Sequence, residues 1–261
     1  MKIATWNVNS LRVRLAHLQQ WLAVRDPDIV CLQETKVVDE DFPAQALLDC
    51  GYRAHFRGQK TYNGVAILLH ERRRGEADDF VSDLPGLEDP QRRFLALTVD
   101  GVRVACAYFP NGQSVESDKF QYKLRWLAAL QAWLPGEIAR HPRFALLGDF
   151  NIAPTDEDVH DPEAWRGQVL CTDEERAAFR AMTEAGLQDA YRLFPQPART
   201  YTWYDYRNFA FRRKMGLRID HALVTAELAA RCTACTIDLE MRKLEQPSDH
   251  APVVAEFRED G

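Results

Sequence analysis

Eight polar side chains stand where an apolar run ends, and their types suit work on phosphate: Asn7, Glu34, Tyr108, Asp149, Asn151, Asp220, Asp249 and His250. The clearest case is RFALLGDFNIAPTD, Arg143 to Asp156, where the apolar run Phe144 to Leu147 stops at Gly148 and is followed by Asp149 and Asn151 on either side of Phe150. Gly148 permits a tight backbone, and Pro154, Thr155 and Asp156 read as the loop beyond, so this pair is expected at a rim open to a metal, a water or a phosphate. By itself the stretch also reads as a strand followed by an Asx-type turn. Several carboxylates gathered at one rim repel one another, and a hard cation relieves this. Oxygen and amide ligands without a cysteine partner indicate Mg2+ or Mn2+ rather than Zn2+. Phosphoryl chemistry fits such a set: the ion neutralises charge developing on phosphate, an aspartate orients or activates water, and asparagine and tyrosine hold the oxygens. His250 beside Asp249 supplies an imidazole that titrates near neutrality, and a carboxylate such as Asp220 can fix its tautomer. Spacing alone leaves open whether these groups converge.

Buried strands are needed to carry them. Lys2 to Val8 reads as a strand, and Leu11 to Ala23 as a helix with Leu11, Leu15, Leu18 and Leu22 at helical spacing. Ile29 to Leu32 is a second strand that delivers Gln33, Glu34, Thr35 and Lys36 at its end; Phe42 to Leu48 reads as a short helix and Tyr52 to Phe56 as a strand. Tyr62 to Leu69 is a turn followed by a buried strand, and Arg93 to Val99 with Val102 to Phe109 forms a hairpin around Asp100-Gly101. Further on, Phe120 to Leu134 is a helix, and Asp173 to Glu184 is another, with Thr172 and Glu175 in a capping-box pattern. Leu187 to Phe194 reads as a further short helix, Leu217 to Val224 as a strand carrying Asp220 and His221, and Pro252 to Phe257 as the last strand. Strands with intervening helices in each half suit helices covering packed sheets. No linker divides the halves, so one layered domain is expected over residues 1–261.

The 261 residues, 46% hydrophobic, suffice for a substantial core. A net charge of −6 argues against a polyanionic partner until its distribution is considered. Basic residues concentrate in HERRR (His70 to Arg74) and RNFAFRRKMGLR (Arg207 to Arg218), and acids in Asp26 to Asp28, Asp39 to Asp41, Glu76 to Asp89 and Asp156 to Asp161. An enzyme that holds a phosphate backbone and then releases it needs only a local positive face. The six cysteines are scattered, and the C-x-x-C of Cys232 and Cys235 has no second pair to complete a zinc site, so a structural role is expected. Met1-Lys2 leads straight into a strand-like run with nothing like a signal peptide, and apolar runs are too short for a membrane span; a cytoplasmic protein without a membrane partner is expected.

The blocks ATWNVNSLR (Ala4 to Arg12), LQETKV (Leu32 to Val37), GQKTYNGVAIL (Gly58 to Leu68), YFPNG (Tyr108 to Gly112), GDFNIAPTD (Gly148 to Asp156), TWYDYR (Thr202 to Arg207), GLRIDH (Gly216 to His221) and LEQPSDHAPV (Leu244 to Val253) run in order along nearly the whole chain. Together they resemble the exonuclease III family of apurinic/apyrimidinic (AP) endonucleases, within the wider endonuclease/exonuclease/phosphatase fold. The resemblance implies an α/β four-layer αββα sandwich of two packed mixed sheets, with one site at their upper edge that depends on Mg2+, for which Mn2+ can substitute. It implies Glu34 as the principal metal ligand with Asn7 in its shell and Asp249 nearby, and Asp149, Asn151 and His250 completing the surroundings of the ion. Asp149 resembles the group that deprotonates or positions the attacking water, Asn151 a phosphate and water contact, and Tyr108 a phosphate contact or transition-state donor. His250 backed by Asp220 resembles an imidazole that meets the scissile phosphate. Asp149 is the favoured base, because an Asp220 partner favours a charged His250 imidazolium.

The resemblance further implies a monomer of the bacterial cytoplasm acting on double-stranded DNA with abasic sites or blocked or recessed 3′ ends, as a 3′-to-5′ exodeoxyribonuclease with AP endonuclease and 3′-phosphatase or 3′-phosphodiesterase activity. Trp203 is either core packing or the apolar wall that receives a base-free sugar, and Arg92 and Arg93 either solvated surface or backbone clamps. Asn111, Arg207, Arg212, Arg213 and Lys214 would face the duplex. The loop Asp156 to Gln168 departs from some family members and is expected to bring His160 and Trp165 to the substrate rim. Two alternatives stand beside this reading. A phosphatase of the same fold could act on a phosphorylated lipid or small molecule, and a non-catalytic regulator could bind nucleic acid; retention of Glu34, Asp149, Asn151, Asp220 and His250 together disfavours the latter.

Overall fold

In the computed structural model, which describes residues 1–259, the chain begins with β1 (Lys2–Asn7), α1 (Leu11–Arg25), β2 (Ile29–Gln33), α2 (Ala44–Leu48), β3 (Tyr52–Arg57), β4 (Val65–His70), β5 (Asp78–Val81), β6 (Phe94–Val99) and β7 (Val102–Tyr108). It continues with α3 (Asp118–Arg140), β8 (Phe144–Asp149), α4 (Pro162–Trp165), α5 (Asp173–Glu184), β9 (Leu187–Asp189), β10 (Asp220–Thr225), α6 (Ala226–Arg231), β11 (Cys232–Ile237) and β12 (Val253–Phe257). The strands form two six-stranded sheets, in the orders β11-β12-β1-β2-β4-β3 and β5-β6-β7-β8-β10-β9. Each has a parallel pair at its centre, β1 with β2 and β7 with β8, and antiparallel neighbours elsewhere.

Burial on both faces explains why the central strands read as apolar runs rather than as alternating ones. Successive side chains leave a strand on opposite sides. In the first sheet Ile3, Ile29, Cys31 and Ile67 meet the second sheet, while Ala4, Trp6, Val30 and Leu32 meet Leu18 and Trp21 of α1 and Leu47 of α2. In β8, Ala145 and Leu147 face the first sheet, and Phe144 and Leu146 meet Leu127, Leu130 and Leu134 of α3 and Met182 of α5. Helix, sheet, sheet and helix are thereby stacked in the four layers expected. Ser117 caps α3 by accepting a bond from the Phe120 amide. The buried face of this helix runs through Phe120, Lys123, Trp126, Leu127, Leu130, Leu134 and Glu137, so a lysine lies among apolar side chains near its start and a glutamate near its end.

Some expected elements are corrected. Leu187 to Phe194 is not one helix: β9 pairs with β10 at the sheet edge, and only Ala190–Leu193 turns as a short 3-10 helix capped by Asp189. The strand expected from Leu217 begins at Asp220, because Leu217 pairs instead with Trp203 and Val159 through isolated bridges. Arg218, the last residue of the basic stretch, is buried against Asp158 and Asp189 and so adds nothing to a positive surface. The six cysteines are free, and Cys235 packs into the core between the sheets, in keeping with a structural role. No helix among the described residues is long and apolar enough to cross a membrane.

Gly148 stands opposite Ala107 where β7 and β8 pair. A methyl group built on it would lie 1.8 Å from the Ala107 carbonyl oxygen, its neighbour in the parallel ladder. Backbone on a central strand cannot yield as a flexible side chain would, so Gly148→Ala is expected to cost more than about 3 kcal/mol. A chemical-denaturation midpoint equal to that of the unmodified chain would refute this.

Candidate active site

Topology brings the polar residues to one rim. The parallel strands β1, β2, β7 and β8 run the same way in each sheet and end at Asn7, just before Glu34, at Tyr108 and at Asp149. β10 and β12 run the opposite way, so Asp220 at the start of one and Asp249-His250 just before the other arrive at the same edge. The register sets Tyr108 beside Asp149 and Asp149 beside Asp220. Ligand sites of open α/β sheets commonly lie beyond the carboxyl ends of the strands.

Side-chain bonds then tie the two sheets together. The Asn7 Nδ2 donates to Glu34 Oε1 and to Asp149 Oδ2, both at 2.9 Å. The Asn151 amide donates to Asp149 Oδ1 at 3.0 Å, and Asn111 Nδ2 to Asn151 Oδ1 at 3.0 Å. His250 Nδ1 donates to Asp220 Oδ2 at 2.9 Å, which directs Nε2 toward Asp149 Oδ2 at 3.8 Å. Glu34 and Asn151 adopt positive φ values of 52° and 50°, a left-handed backbone that ordinary residues avoid and that accumulates at functional sites.

These contacts set the protonation states. Burial raises the Asp149 carboxyl to about 7, against the pull of His250, with Asp220 adding to the rise. Burial opposes charge on His250, but the carboxylates of Asp220 and Asp149 outweigh it and raise the imidazole to about 10. At neutral pH the imidazole is therefore a cation, and the aspartate beside it is poised to accept a proton. Burial, reinforced by Glu34, lifts the Tyr108 phenol well above its ordinary value, so it remains a hydrogen-bond donor. Glu34, Asp149 and His250 each bring one atom within 4.8 Å of the others; with the imidazole charged, the two carboxylates are the oxygen ligands that suit a hard cation there. Asp249 lies outside that trio. Its oxygens accept from Asn9 Nδ2 at 2.8 Å and Trp203 Nε1 at 3.0 Å, and although burial opposes it, His250 and these bonds hold its carboxyl below the usual range.

The residues expected to face DNA divide into distinct groups. Arg207, Arg212, Arg213 and Lys214 are exposed on a loop with Tyr206 and Phe209, the latter 72% exposed. Arg207 is also bonded to Asp205. Arg92 is half-buried and paired with Asp83 at 3.4 Å. Arg93 is buried, not free at the surface: its guanidinium lies 4.6 Å from the centre of the Tyr108 ring and donates to Gln91, so it buttresses Tyr108. Trp203 is partly buried and bridged through its backbone to His250. Asn111 is exposed between a cleft of about 670 Å³, with Tyr62, Arg93 and Tyr122, and one of about 510 Å³, with Trp165, Leu170 and Arg207. His160 does not share the cleft of Trp165. It faces a separate cavity beside Tyr191 and Arg192, with its Nδ1 3.2 Å from the Gly216 carbonyl oxygen.

Sequence reasoning missed Lys36 and Asn9. Lys36 Nζ lies 2.9 Å from Glu34 Oε2 and donates to Asn9 Oδ1 at 2.6 Å, so Glu34 already has one cationic partner. Both residues fall in blocks that were singled out, LQETKV and ATWNVNSLR, but bonds across 27 positions leave no local signature.

The model of the Endonuclease/Exonuclease/phosphatase family matches residues 4–250. Exodeoxyribonuclease III of Haemophilus influenzae is 36% identical, over 99% of this chain and 100% of its own. Among solved structures, the 3′ phosphatase NExo from Neisseria, bound to a product DNA hairpin, is 50% identical with a TM-score of 0.95, covering 99% of this chain and 100% of that one. An AP endonuclease from Archaeoglobus fulgidus is 38% identical with a TM-score of 0.93, over 99% of this chain and 100% of that one.

Proposed function

The chain belongs to the endonuclease/exonuclease/phosphatase family, and from that premise we propose that it is a Mg2+-dependent enzyme that repairs the 3′ ends of duplex DNA, as a 3′-to-5′ exonuclease and 3′-phosphatase with AP endonuclease activity. It is a DNA-repair hydrolase of the exonuclease III and AP endonuclease group. The observation that carries the finer reading is the convergence of Asn7 and Glu34 from one sheet with Asp149, Asp220 and His250, in which one acidic and one cationic side chain face the same space.

Each of these activities breaks the same bond, between phosphorus and O3′, and leaves a 3′-hydroxyl. Water attacks phosphorus and gives its proton to Asp149, whose carboxyl, at about 7, is matched to neutral conditions. His250, held charged by Asp220, donates to a non-bridging oxygen as negative charge accumulates there; a protonated imidazole serves as donor rather than as metal ligand. Tyr108 donates a second bond, and Asn151, fixed by Asn111, orients phosphate and water. Glu34 with Asn7 and Asp149 would hold the divalent ion, which would supply positive charge to offset that developing on phosphate, and the departing O3′ takes its proton from solvent.

The exposed loop with Arg207, Arg212, Arg213 and Lys214 gives one positive wall for the backbone, with Phe209 and Tyr206 available to stack on a frayed base. Trp203, Trp165 and Val169 pack on an apolar cluster that includes Leu170 and Leu217. This bulk beside Asn111 favours a terminal phosphate or nucleotide over a flipped internal sugar. The likeness to a 3′ phosphatase held with a DNA hairpin supports the same preference.

The test uses matched duplexes carrying a 3′-phosphate, a recessed 3′ end or an internal abasic analogue, at one salt concentration because backbone binding varies steeply with ionic strength. Release from the two 3′ ends should exceed incision at the abasic analogue by roughly 10-fold or more. Faster incision at the internal site would reverse the order of activities.

A further inference from the structure

We propose that Lys123 and Glu175 are positioning residues of this active site, a buried ion pair that fixes the loops carrying Asn111 and Asn151 against the wall formed by Trp165 to Leu170. The side chains of both are fully buried, and they meet each other directly. Lys123 Nζ also donates to the Asn151 carbonyl oxygen at 2.6 Å and to the Asn111 carbonyl oxygen at 3.2 Å. One ammonium therefore spans the two loops whose side chains bond each other at the rim, Asn111 Nδ2 to Asn151 Oδ1.

Glu175 extends the arrangement to a third loop. Its Oε1 accepts from the Leu170 amide at 3.0 Å, and its Oε2 from the amide and hydroxyl of Thr172 at 3.0 and 2.8 Å. Leu170 is held at φ 80°, a left-handed backbone that leucine adopts only when its surroundings impose it. The Leu170 carbonyl in turn accepts from Ala153, two residues beyond Asn151. Glu175 is thus more than the capping-box partner of Thr172 at the start of α5.

A stabilising role alone would not require these acceptors. Burial opposes the charge on Lys123 and Glu175 sustains it, while a hydrophobic pair of similar volume would fill the space without the desolvation that an ion pair incurs. What the ammonium adds is a tie: it bonds three acceptors at once, two of them the carbonyls of Asn111 and Asn151. Positional errors near 1 Å cost about 10²-fold in rate, so such fixation is felt in turnover before it is felt in affinity.

The proposal rests on the assignment of Asn151 to the attack on phosphate. In Lys123→Met, kcat on a 3′-phosphate duplex should fall about 10²-fold, while the Kd for the same duplex in chelator changes less than about 5-fold. That variant leaves Glu175 buried and uncompensated, so its Tm should fall by about 10 °C. The double variant Lys123→Met/Glu175→Gln removes the unpaired charge. It should regain most of the Tm without regaining kcat, and it carries the test where the single variant does not fold. Recovery of kcat together with Tm would mean that the pair only stabilises the fold, and would overturn the proposal.

A second comparison separates this proposal from the reading it rests on. If Lys123 acts through Asn151, adding Lys123→Met to Asn151→Ala should cost less than about 3-fold beyond Asn151→Ala alone. Multiplication of the two losses would overturn the positioning role and leave Asn151 in place. Turnover by Asn151→Ala at the unmodified rate would overturn the assignment of Asn151, and the proposal with it.

Discussion

Asparagine in place of Asp149 is expected to lower kcat by at least roughly 10²-fold on every DNA substrate while the affinity for the duplex changes less than about 3-fold. The substitution is nearly isosteric, and its one amide oxygen can keep either the bond from Asn7 or that from the Asn151 amide, but an amide cannot accept the proton of the attacking water. It also removes the charge that helps to keep His250 protonated. Both losses act where charge moves in the transition state, which is why turnover suffers more than binding. The pH profile gives an independent check. With the Asp149 carboxyl raised to about 7, kcat should climb as pH rises through that value, and it should fall again as His250 loses its proton near 10. A bound cation would move the acid limb lower, since positive charge favours the carboxylate. In Asp149→Asn the acid limb should vanish. Equal losses of affinity and turnover, or an unchanged acid limb, would take the proton-accepting role away from Asp149.

The other large effect is expected at Glu34. In Glu34→Ala, activity in millimolar Mg2+ should drop by about 10³-fold, and the heat of Mg2+ binding to the DNA-free protein should disappear over the same concentration range. The carboxylate stands at the carboxyl end of a central strand, in a left-handed backbone, with Asn7 at one oxygen and Lys36 at the other. Loss of the carboxylate leaves Lys36 as an unopposed positive charge beside the site, which repels a divalent ion further. Calorimetry that finds Mg2+ binding intact would put the ion elsewhere, and full activity of Glu34→Ala would remove Glu34 from the mechanism.

Much of the architecture was legible because the strands that matter are buried on both faces. Phe144 to Leu147 and Ile29 to Leu32 are unbroken apolar runs, and a polar residue after such a run marks the sheet edge whichever strand it follows. The edge strands carry no such mark. β5, DDFV, is exposed and largely polar, and β11 is a half-buried strand whose two cysteines drew attention away from its pairing with β12. β9 has three residues, too few for any period to show. The same contrast holds for the site. Asn7, Glu34, Asp149, Asp220 and His250 were recoverable from their positions at strand ends, whereas the bond from Lys36 to Asn9 and all the partners of Lys123 are distant in the chain and are set by tertiary structure. Lys123 did leave one trace, a charge within the buried stripe of α3, but the regular leucines at 124, 127, 130 and 134 drew the helix face around it. His160 is a divided case: its ring lies 6.4 Å from that of Trp165, yet it lines another cavity. Loop sequence gives proximity along the chain, and the bridge from Val159 to Leu217 turns this side chain into a different cavity.

The central claim is that a divalent ion and the Asp149–His250 pair act together on phosphate at a DNA 3′ end. It is tested most directly by release of inorganic phosphate from a duplex bearing a 3′-phosphate, measured in Mg2+ and again in excess chelator, with polymerase extension scoring the new 3′-hydroxyl. The expected result is stoichiometric release in Mg2+ that yields an extendable end, none in chelator, and a rate at least roughly 10²-fold lower in Asp149→Asn. A 3′-phosphate left intact in both Mg2+ and Mn2+, or release that continues undiminished in chelator, would contradict it.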